Sequence, residues 1–166
     1  MPLNLAHVVT ATDITDDEVV RAFADILGAM RRRGIIRTKN VVGDLGERYA
    51  VRAYADRGPR GTLSLRPPTN STDVDATDAS GGRYAIKAAS PGSTRTSAFH
   101  FKRDHAESEK AFDYVIVVQL DEFFQPLRVT EFTWAQFWKE KSWNTRQEAW
   151  FLPLSQKVLR GGRSVP

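Results

Sequence analysis

The stretch Asp73-Val-Asp-Ala-Thr-Asp-Ala-Ser-Gly-Gly-Arg-Tyr-Ala-Ile-Lys87 predicts two short strands joined by a glycine turn. Asp78 to Gly82 forms the turn, because the two consecutive glycines can adopt positive φ angles. Asp75 begins the first strand, and Lys87 ends the second. Side chains alternate along a strand, so Ala85 and Lys87 point to the same face. With an odd number of loop residues, Asp75 lies opposite Ala85 or Lys87, and the hairpin presents an acid and a lysine on one side.

The composition narrows the possible classes of protein. The chain has 166 residues, 41% of them hydrophobic, which suits one domain with its own core. It contains no Cys, which excludes disulfides, thiolate metal sites and cysteine nucleophiles. The three histidines show no metal-ligand spacing such as HExxH. A formal net charge of +4 mildly favours an anionic partner, nucleic acid included.

The first residues, Met-Pro-Leu-Asn, lack the charged and apolar regions of a signal peptide. No apolar run in the chain approaches the length of a membrane span. We therefore expect a cytoplasmic protein with no membrane partner.

The N-terminal sequence predicts an irregular or weakly extended segment over residues 1–12 and then one helix. Thr15-Asp-Asp-Glu18 fits a capping box, and apolar residues follow at helical spacing as far as Met30. Acids occupy the first turn and residues 31–33, all arginine, the last turn, before a stop at Gly34. The arginine run is thus explained by the helix end, with direct phosphate contact as the alternative.

A second helix is predicted from about Val42 to Tyr54. Glu47 shares a face with apolar residues three to seven positions further on, so it faces inward. A buried carboxylate is costly unless it is paired or binds a metal. The alternatives are an ion pair with Arg48 or Arg52, or exposure at the helix edge. Gly46 would let this helix approach a neighbour closely.

Five strands and a third helix complete the prediction. The run Tyr114–Leu120 is almost continuously apolar, which is typical of a central strand buried on both faces. A second capping box, Thr133 to Gln136, opens a helix that ends near Glu140. The predicted strands are Thr62–Arg66, two hairpin strands near Val74–Thr77 and Arg83–Ala88, and then Tyr114–Leu120 and Leu127–Phe132.

This order of elements predicts an α/β fold, a mixed sheet covered by helices. We expect a single domain over residues 1–166. Within it, residues 1–38 form an N-terminal helical extension, residues 40–154 the core, and residues 155–166 a tail that frays from Gly161.

A helical Glu, a strand Asp, a turn and an apolar-x-Lys strand follow one another in this chain. The residues are Glu47 in Gly46-Glu47-Arg48, Asp75 in Val74-Asp75-Ala76, and Lys87 in Tyr84-Ala85-Ile86-Lys87-Ala88. In this order they resemble the PD-(D/E)XK nuclease superfamily, over about residues 40 to 140. The resemblance implies a restriction-endonuclease-like mixed β-sheet that is flanked by α-helices.

The resemblance also implies a divalent-metal-dependent endonuclease that hydrolyses phosphodiester bonds of DNA. Asp75 would be the main ligand to Mg²⁺ or Mn²⁺, with Glu47 as second ligand and the backbone carbonyl of Ile86 as third. Such hard cations prefer oxygen ligands, often only one or two carboxylates plus waters. Lys87 would orient or help deprotonate the attacking water and stabilise charge at the phosphate.

One position departs from the family pattern. Ala85 stands where the family usually has Glu or Gln, and a methyl group cannot coordinate a metal. Glu47 could compensate from the helix; the alternative is a catalytically inactive nuclease-fold protein that binds nucleic acid or a partner protein. A third interpretation leaves Asp75 and Lys87 as a cross-strand ion pair, worth under about 1 kcal/mol if exposed. Asp73 rivals Asp75 because both face the same side, but the spacing to Lys87 favours Asp75.

Four basic residues are candidate phosphate contacts, or else solvated surface groups: Arg83, Arg95, Lys102 and Arg103. DNA is the expected partner. The chain leaves little room for a separate recognition domain, so a sequence-specific role would call for a homodimer or a larger defence or mobile-element complex.

Overall fold

The computed structural model describes residues 14–67 and 73–166. Residues 1–13, most of them in the segment predicted to be irregular, and residues 68–72, which include the second of the two prolines after the first predicted strand, lie outside the described residues. The chain forms two units, with the boundary between Lys39 and Asn40.

The first unit contains helix α1, Asp16–Arg32. Its predicted capping box is confirmed, because the Thr15 hydroxyl accepts from the Glu18 amide while the Glu18 carboxylate accepts from the Thr15 amide. The predicted stop is confirmed as well, since Gly34 has a φ of 66°, a conformation that glycine adopts without strain.

The second unit, residues 40–166, is a mixed α/β fold. Its elements in chain order are α2 (Val41–Arg57), β1 (Leu63–Leu65), β2 (Ala76–Asp78), β3 (Arg83–Ala89), β4 (Tyr114–Leu120), β5 (Pro126–Thr133), α3 (Trp134–Glu140), β6 (Ser142–Asn144), β7 (Ala149–Phe151), α4 (Gln156–Gly161) and β8 (Arg163–Val165).

Six of these strands form one sheet in the order β1-β2-β3-β4-β5-β8. Neighbouring strands are antiparallel except β3 and β4, which run parallel. Strand β4 lies near the middle, and Val115 to Val118 are fully buried, as the apolar run predicts. Strands β6 and β7 form a separate hairpin.

Two hydrophobic clusters cover the two faces of the sheet. Alternation along β3 sends Tyr84 and Ile86 to the cluster that contains Tyr54 of α2. It sends Ala85 to the opposite cluster, together with Phe137 of α3 and residues of α4. The sheet therefore lies between α2 on one side and α3 with α4 on the other.

The C-terminal segment corrects the prediction of a fraying tail. Ser155 caps α4, and β8 pairs antiparallel with β5 through Val129 and Val165. Val165 is buried in the core, so hydrophobic burial and strand pairing order this end of the chain. Helix α2 also extends three residues beyond the predicted end, to Arg57.

No helix among the described residues is long and apolar enough to cross a membrane.

Candidate active site

A cavity of about 340 Å³ lies beside Ile86, Lys87 and Ala88, the part of β3 that follows its pairing with β2. It brings together four residues that the sequence selected: Glu47, Asp75, Ile86 and Lys87. This edge cavity is lined by Asn40, Val42, Gly43, Glu47, Asp75, Ile86, Lys87, Ala88 and Ser97.

The hairpin register places Asp75 at the cavity. Ala76 pairs with Tyr84, so Asp75 comes next to Ala85, the first of the two predicted alternatives. The Asp75 amide donates to the Tyr84 carbonyl at 2.8 Å, and the Asp75 carboxylate accepts from the Ile86 amide at 2.7 Å. These bonds fix the carboxylate against the backbone of β3.

The backbone of Ile86 presents a further oxygen at the same edge. The N–H and C=O groups of one strand residue point to the same side of the strand. Because the Ile86 amide donates to Asp75, the Ile86 carbonyl also faces the side on which Asp75 lies.

Lys87 is held by three contacts on the side of Phe99. Its Nζ donates to the Ala98 carbonyl at 2.9 Å and lies 3.7 Å from Asp73 Oδ1. The same nitrogen lies 4.6 Å from the centre of the Phe99 ring. The side chains of Lys87 and Asp73 are only 13% and 7% exposed, so the ammonium is largely enclosed.

The two rival acids of the hairpin have different places. Asp73 forms an ion pair with Lys87 and also accepts from the His100 amide at 2.8 Å. Asp75 lines the edge cavity together with Lys87. Because Asp73 and Asp75 are two residues apart, strand alternation placed them on the same face, and the sequence could not show that they have different partners.

Glu47 reaches the cavity because α2 packs closely on β3. A Cβ added to Gly46 would lie 2.6 Å from the Cβ of Ala88, so only glycine permits this approach. Glu47 is half-buried on the next position of the helix and lines the cavity. The predicted close approach at Gly46 is confirmed.

Ala85 is fully buried among apolar side chains on the face of the sheet that is turned away from α2, in the cluster that includes Val115 and Phe99. An acidic side chain at this position would be surrounded by hydrocarbon. Packing therefore accounts for the alanine, and the carboxylates of the cavity come from Glu47 and Asp75.

The donors of the edge cavity fit a hard divalent cation. Among residues 14–67 and 73–166, no group of three or more His, Asp or Glu side chains is placed to hold a metal ion. Mg²⁺ is commonly held by one or two carboxylates, with water and substrate phosphate completing its shell. Two carboxylates and a carbonyl, all oxygen donors, match that chemistry.

The candidate phosphate contacts fall into two places. Arg83 bonds to the Asp113 carboxylate at 3.1 Å and to nearby carbonyls, so its donors serve the fold. Arg95 lies 4.2 Å from the Phe151 ring centre, and Arg103 lies 5.7 Å from that of Trp143.

Lys102 belongs to the same region, because its carbonyl accepts from the Trp150 indole at 3.2 Å. Nearby, Lys141 lies 3.7 Å and 3.5 Å from the ring centres of Trp138 and Trp150. Burial there lowers the pKa of Lys141, while Glu107 opposes the change. Cations and aromatic rings thus surround the β6–β7 hairpin.

A buried polar network on the α2 side was not predicted. The Glu131 carboxylate, 3% exposed, accepts from the Tyr54 hydroxyl and pairs with the Arg60 guanidinium. Burial and the bond to Glu131 raise the pKa of Tyr54 far above its ordinary value, so the hydroxyl stays protonated. Arg60 also donates to the Tyr84 hydroxyl at 2.8 Å. The one signal of this network in the sequence was Glu131 itself, an acid inside the otherwise largely apolar end of β5.

The network ends at Asp78, in the hairpin turn. Tyr84 donates to Asp78 at 2.7 Å, and the Ser80 hydroxyl and the Gly82 amide donate to the other carboxylate oxygen. Burial alone would raise the pKa of Asp78, but these bonds favour the charged form and lower it from 3.8 to about 2. A larger cavity, about 880 Å³, opens beside this turn. Two of the three acids in its lining, Asp78 and Asp113, are held by Tyr84 and Arg83, and the third is Glu107.

No protein-family model matches this sequence, and no curated protein matches it.

Proposed function

We propose that the chain is a divalent-metal-dependent nuclease with a restriction-endonuclease-like fold, and that it hydrolyses phosphodiester bonds of DNA. The observation that favours this proposal most is the edge cavity, where Glu47, Asp75, Ile86 and Lys87 meet although 40 residues of sequence separate the first from the last. A chance cross-strand ion pair would not require the helix to contribute an acid to the same cavity.

The residues of the cavity have separate roles in the proposed reaction. Glu47, Asp75 and the Ile86 carbonyl would hold Mg²⁺ or Mn²⁺. When bound, such an ion neutralises phosphate charge and lowers the pKa of a coordinated water. The Ile86 amide fixes the orientation of the Asp75 carboxylate before substrate arrives.

Lys87 would place a positive charge beside the phosphate. An ammonium group has three N–H donors. The Ala98 carbonyl engages one of them, and Asp73 Oδ1, 3.7 Å away, is an ion-pair partner beyond hydrogen-bond distance, so donors remain for a phosphate oxygen. Hydrolysis forms a bond from the water oxygen to phosphorus and breaks the bond to the leaving oxygen, and the ammonium stabilises the charge that develops on the phosphate.

The charge around the β6–β7 hairpin supports a nucleic-acid substrate, and DNA is the nucleic acid that the resemblance to the nuclease superfamily implies. Arg95, Lys102 and Arg103 lie there beside aromatic rings, and the whole chain carries a net charge of +4. Basic groups that contact phosphates, combined with aromatic rings, are typical of nucleic-acid-binding surfaces.

The second candidate is a catalytically inactive nuclease-fold protein that binds nucleic acid or a partner protein. Ala85 favours it, because the position where the family usually has a metal-binding side chain is filled by a buried methyl group. The pairing of Lys87 with Asp73 also favours it, since the positive charge of Lys87 is already balanced by a carboxylate within the fold.

Cleavage and binding assays separate the two candidates. Purified chain is incubated with supercoiled plasmid and Mg²⁺, and binding of labelled DNA is measured in EDTA. The nuclease proposal expects metal-dependent nicking that Asp75→Ala and Lys87→Ala each reduce at least about a hundredfold, with binding in EDTA retained.

Exposed residues provide the controls, since Asp104→Ala and Lys157→Ala should cleave like wild type. Salt-sensitive binding without cleavage in any metal would overturn the nuclease proposal in favour of the inactive one. Full activity in both site variants would show that the edge cavity is not the active site.

A further inference from the structure

Helix α1 exposes large apolar side chains along one side. Val20 and Phe23 are 65% and 63% exposed, and Val19 and Ile26 are exposed as well. Val19, Phe23, Ile26 and Met30 are spaced by four, three and four residues. This spacing is that of the apolar seam of a coiled coil, and Val19, Phe23 and Ile26 on this seam are exposed.

The seam continues at both ends with residues of opposite charge. Asp16 precedes Val19 by three residues, and Arg33 follows Met30 by three. The same spacing pattern therefore runs from an acid at the start of α1, through four apolar residues, to a base at its end.

We propose that α1 pairs antiparallel with α1 of a second copy of this chain. With a two-fold axis midway between residues 24 and 25, Phe23 of each copy faces Ile26 of the other. The same axis sets Asp16 of each copy against Arg33 of the other, and it pairs the two outer apolar residues. A two-fold interface repeats every contact, so one self-complementary stripe supplies both halves.

The charges decide the direction of the pair. A parallel pair would bring the two acidic ends together and the two basic ends together, at an electrostatic cost. The antiparallel pair replaces both repulsions by attractions. The basic run at residues 31–33, which the helix dipole already favours, then also meets the acidic turn of the partner copy.

The charge of α1 argues against an anionic partner for this face. From Asp16 to Arg32 the helix carries four acids and three arginines. Helices that bind membrane surfaces are rich in Lys and Arg on the polar side, and nucleic acid likewise selects for excess positive charge. A second copy, which offers both signs in the right order, suits α1 better.

Sedimentation equilibrium of the full chain, from about 1 µM to about 1 mM, tests the proposal. Wild type is expected to show a monomer–dimer equilibrium. Phe23→Glu should weaken it at least about a hundredfold, because each copy would bury a charge in the seam. Because Phe23 is exposed, this change should leave the fold of the monomer intact, as circular dichroism would show. Arg21→Asp, on the opposite side of α1, is the matched control and should leave the dissociation constant within about threefold.

Charge reversal tests the direction of the pair. Asp16→Arg and Arg33→Asp should each weaken the dimer about tenfold, because each change makes two like-charge contacts. The chain with both changes should recover the wild-type constant. Both changes oppose the helix dipole, so their effects on the helix itself add, and only antiparallel pairing predicts recovery.

Three results would overturn the proposal. They are a wild-type monomer at every concentration, a dimer that Phe23→Glu leaves unchanged, and a doubly reversed chain that is no stronger as a dimer than either single variant. Since these readouts need neither metal nor DNA, they are independent of the proposed nuclease activity.

Discussion

Glu131 is an acid in the interior of β5, and its carboxylate depends on two partners from distant parts of the chain. Tyr54 comes from α2 and Arg60 from the segment after it, and both bond to the same oxygen. Removing one partner from a buried ion pair costs about 3 to 5 kcal/mol, because the remaining charge is left uncompensated. The network should therefore be sensitive to single changes and more tolerant of paired ones.

Arg60→Ala should lower the free energy of unfolding by about 3 kcal/mol, since Glu131 would remain buried without its cation. Arg60→Ala combined with Glu131→Gln should cost clearly less than the two single changes added together. Denaturant unfolding of the four proteins gives this coupling directly. Additive effects would mean that the two side chains do not depend on each other.

Asp78 gives the hairpin an acid-sensitive contribution to stability. Its folded pKa of about 2 lies below the ordinary value of 3.8, so the contribution is complete above about pH 4. It is lost as the pH falls through 2, because the protonated acid accepts hydrogen bonds more weakly.

Asp78→Asn should therefore cost about 2 kcal/mol near neutral pH, and less as the pH falls below 4. Thermal unfolding from pH 7 to pH 3 checks this expectation, with exposed Asp104→Asn as the control. A deficit in Asp78→Asn that stays constant across this range would contradict the assigned role of the carboxylate.

At the scale of elements, the closest approach of α2 to the sheet occurs at Gly46. Gly46→Ala would press a methyl group against Ala88, so we expect a loss of about 1 to 3 kcal/mol despite the better helix propensity of alanine. Gly161→Ala is the matched control, because a Cβ there meets no atom within 4 Å. Denaturant unfolding of both variants measures the difference. Equal stabilities would show that the contact is not tight.

The last strand makes a second prediction at this scale. Deleting residues 163–166 would remove β8, expose the edge of β5 and take the buried Val165 out of the core. We expect a loss of at least about 2 kcal/mol and a greater tendency to aggregate. Thermal unfolding and light scattering of the shortened chain check this. An unchanged melting temperature would show that residues 163–166 do not contribute to stability, as the prediction of a fraying tail implies.

Elements with a strong local signal were predictable. The capping boxes at Thr15 and Thr133 and the apolar run of β4 were all read from neighbouring residues, and all are confirmed. The C-terminal helix and strand were not predicted, because six and three residues carry too little periodicity. Both are ordered by contacts that are distant in sequence, since β8 pairs with β5 and Val158 and Leu159 of α4 are buried in a core cluster.

The sequence predicted which residues line the edge cavity, but it did not predict all of their contacts. Glu47 and Lys87 stood out because charged residues at apolar positions call for a partner. Asp75 was chosen over Asp73 because its spacing to Lys87 fits the resemblance to the nuclease superfamily. That Asp73 would pair with Lys87 depends on how the chain bends before β2, which has no local signature. Arg60 and Glu131, 71 residues apart, gave no pairing signal at all.

At the scale of the whole molecule, the sheet explains why the edge cavity lies where it does. Among the described residues, the register of β2 with β3 covers Ala76 and Thr77, and beyond it the Ile86 amide meets the carboxylate of Asp75 and no paired strand residue. Helix α2 covers one face of β3 and delivers Glu47, while the segment around Phe99 covers the other face and holds Lys87. These groups thus meet beside the part of β3 that follows its pairing with β2.

The rate of plasmid cleavage as a function of Mg²⁺ concentration, for wild type, Asp75→Asn and Asp73→Asn, tests the central claim most directly. The proposed site predicts metal-dependent cleavage in wild type and a fall of at least about a hundredfold in Asp75→Asn. Asp73→Asn should keep the same metal requirement at a reduced rate, because it loosens Lys87 without removing a ligand. Equal cleavage by wild type and Asp75→Asn at every Mg²⁺ concentration would contradict the proposal.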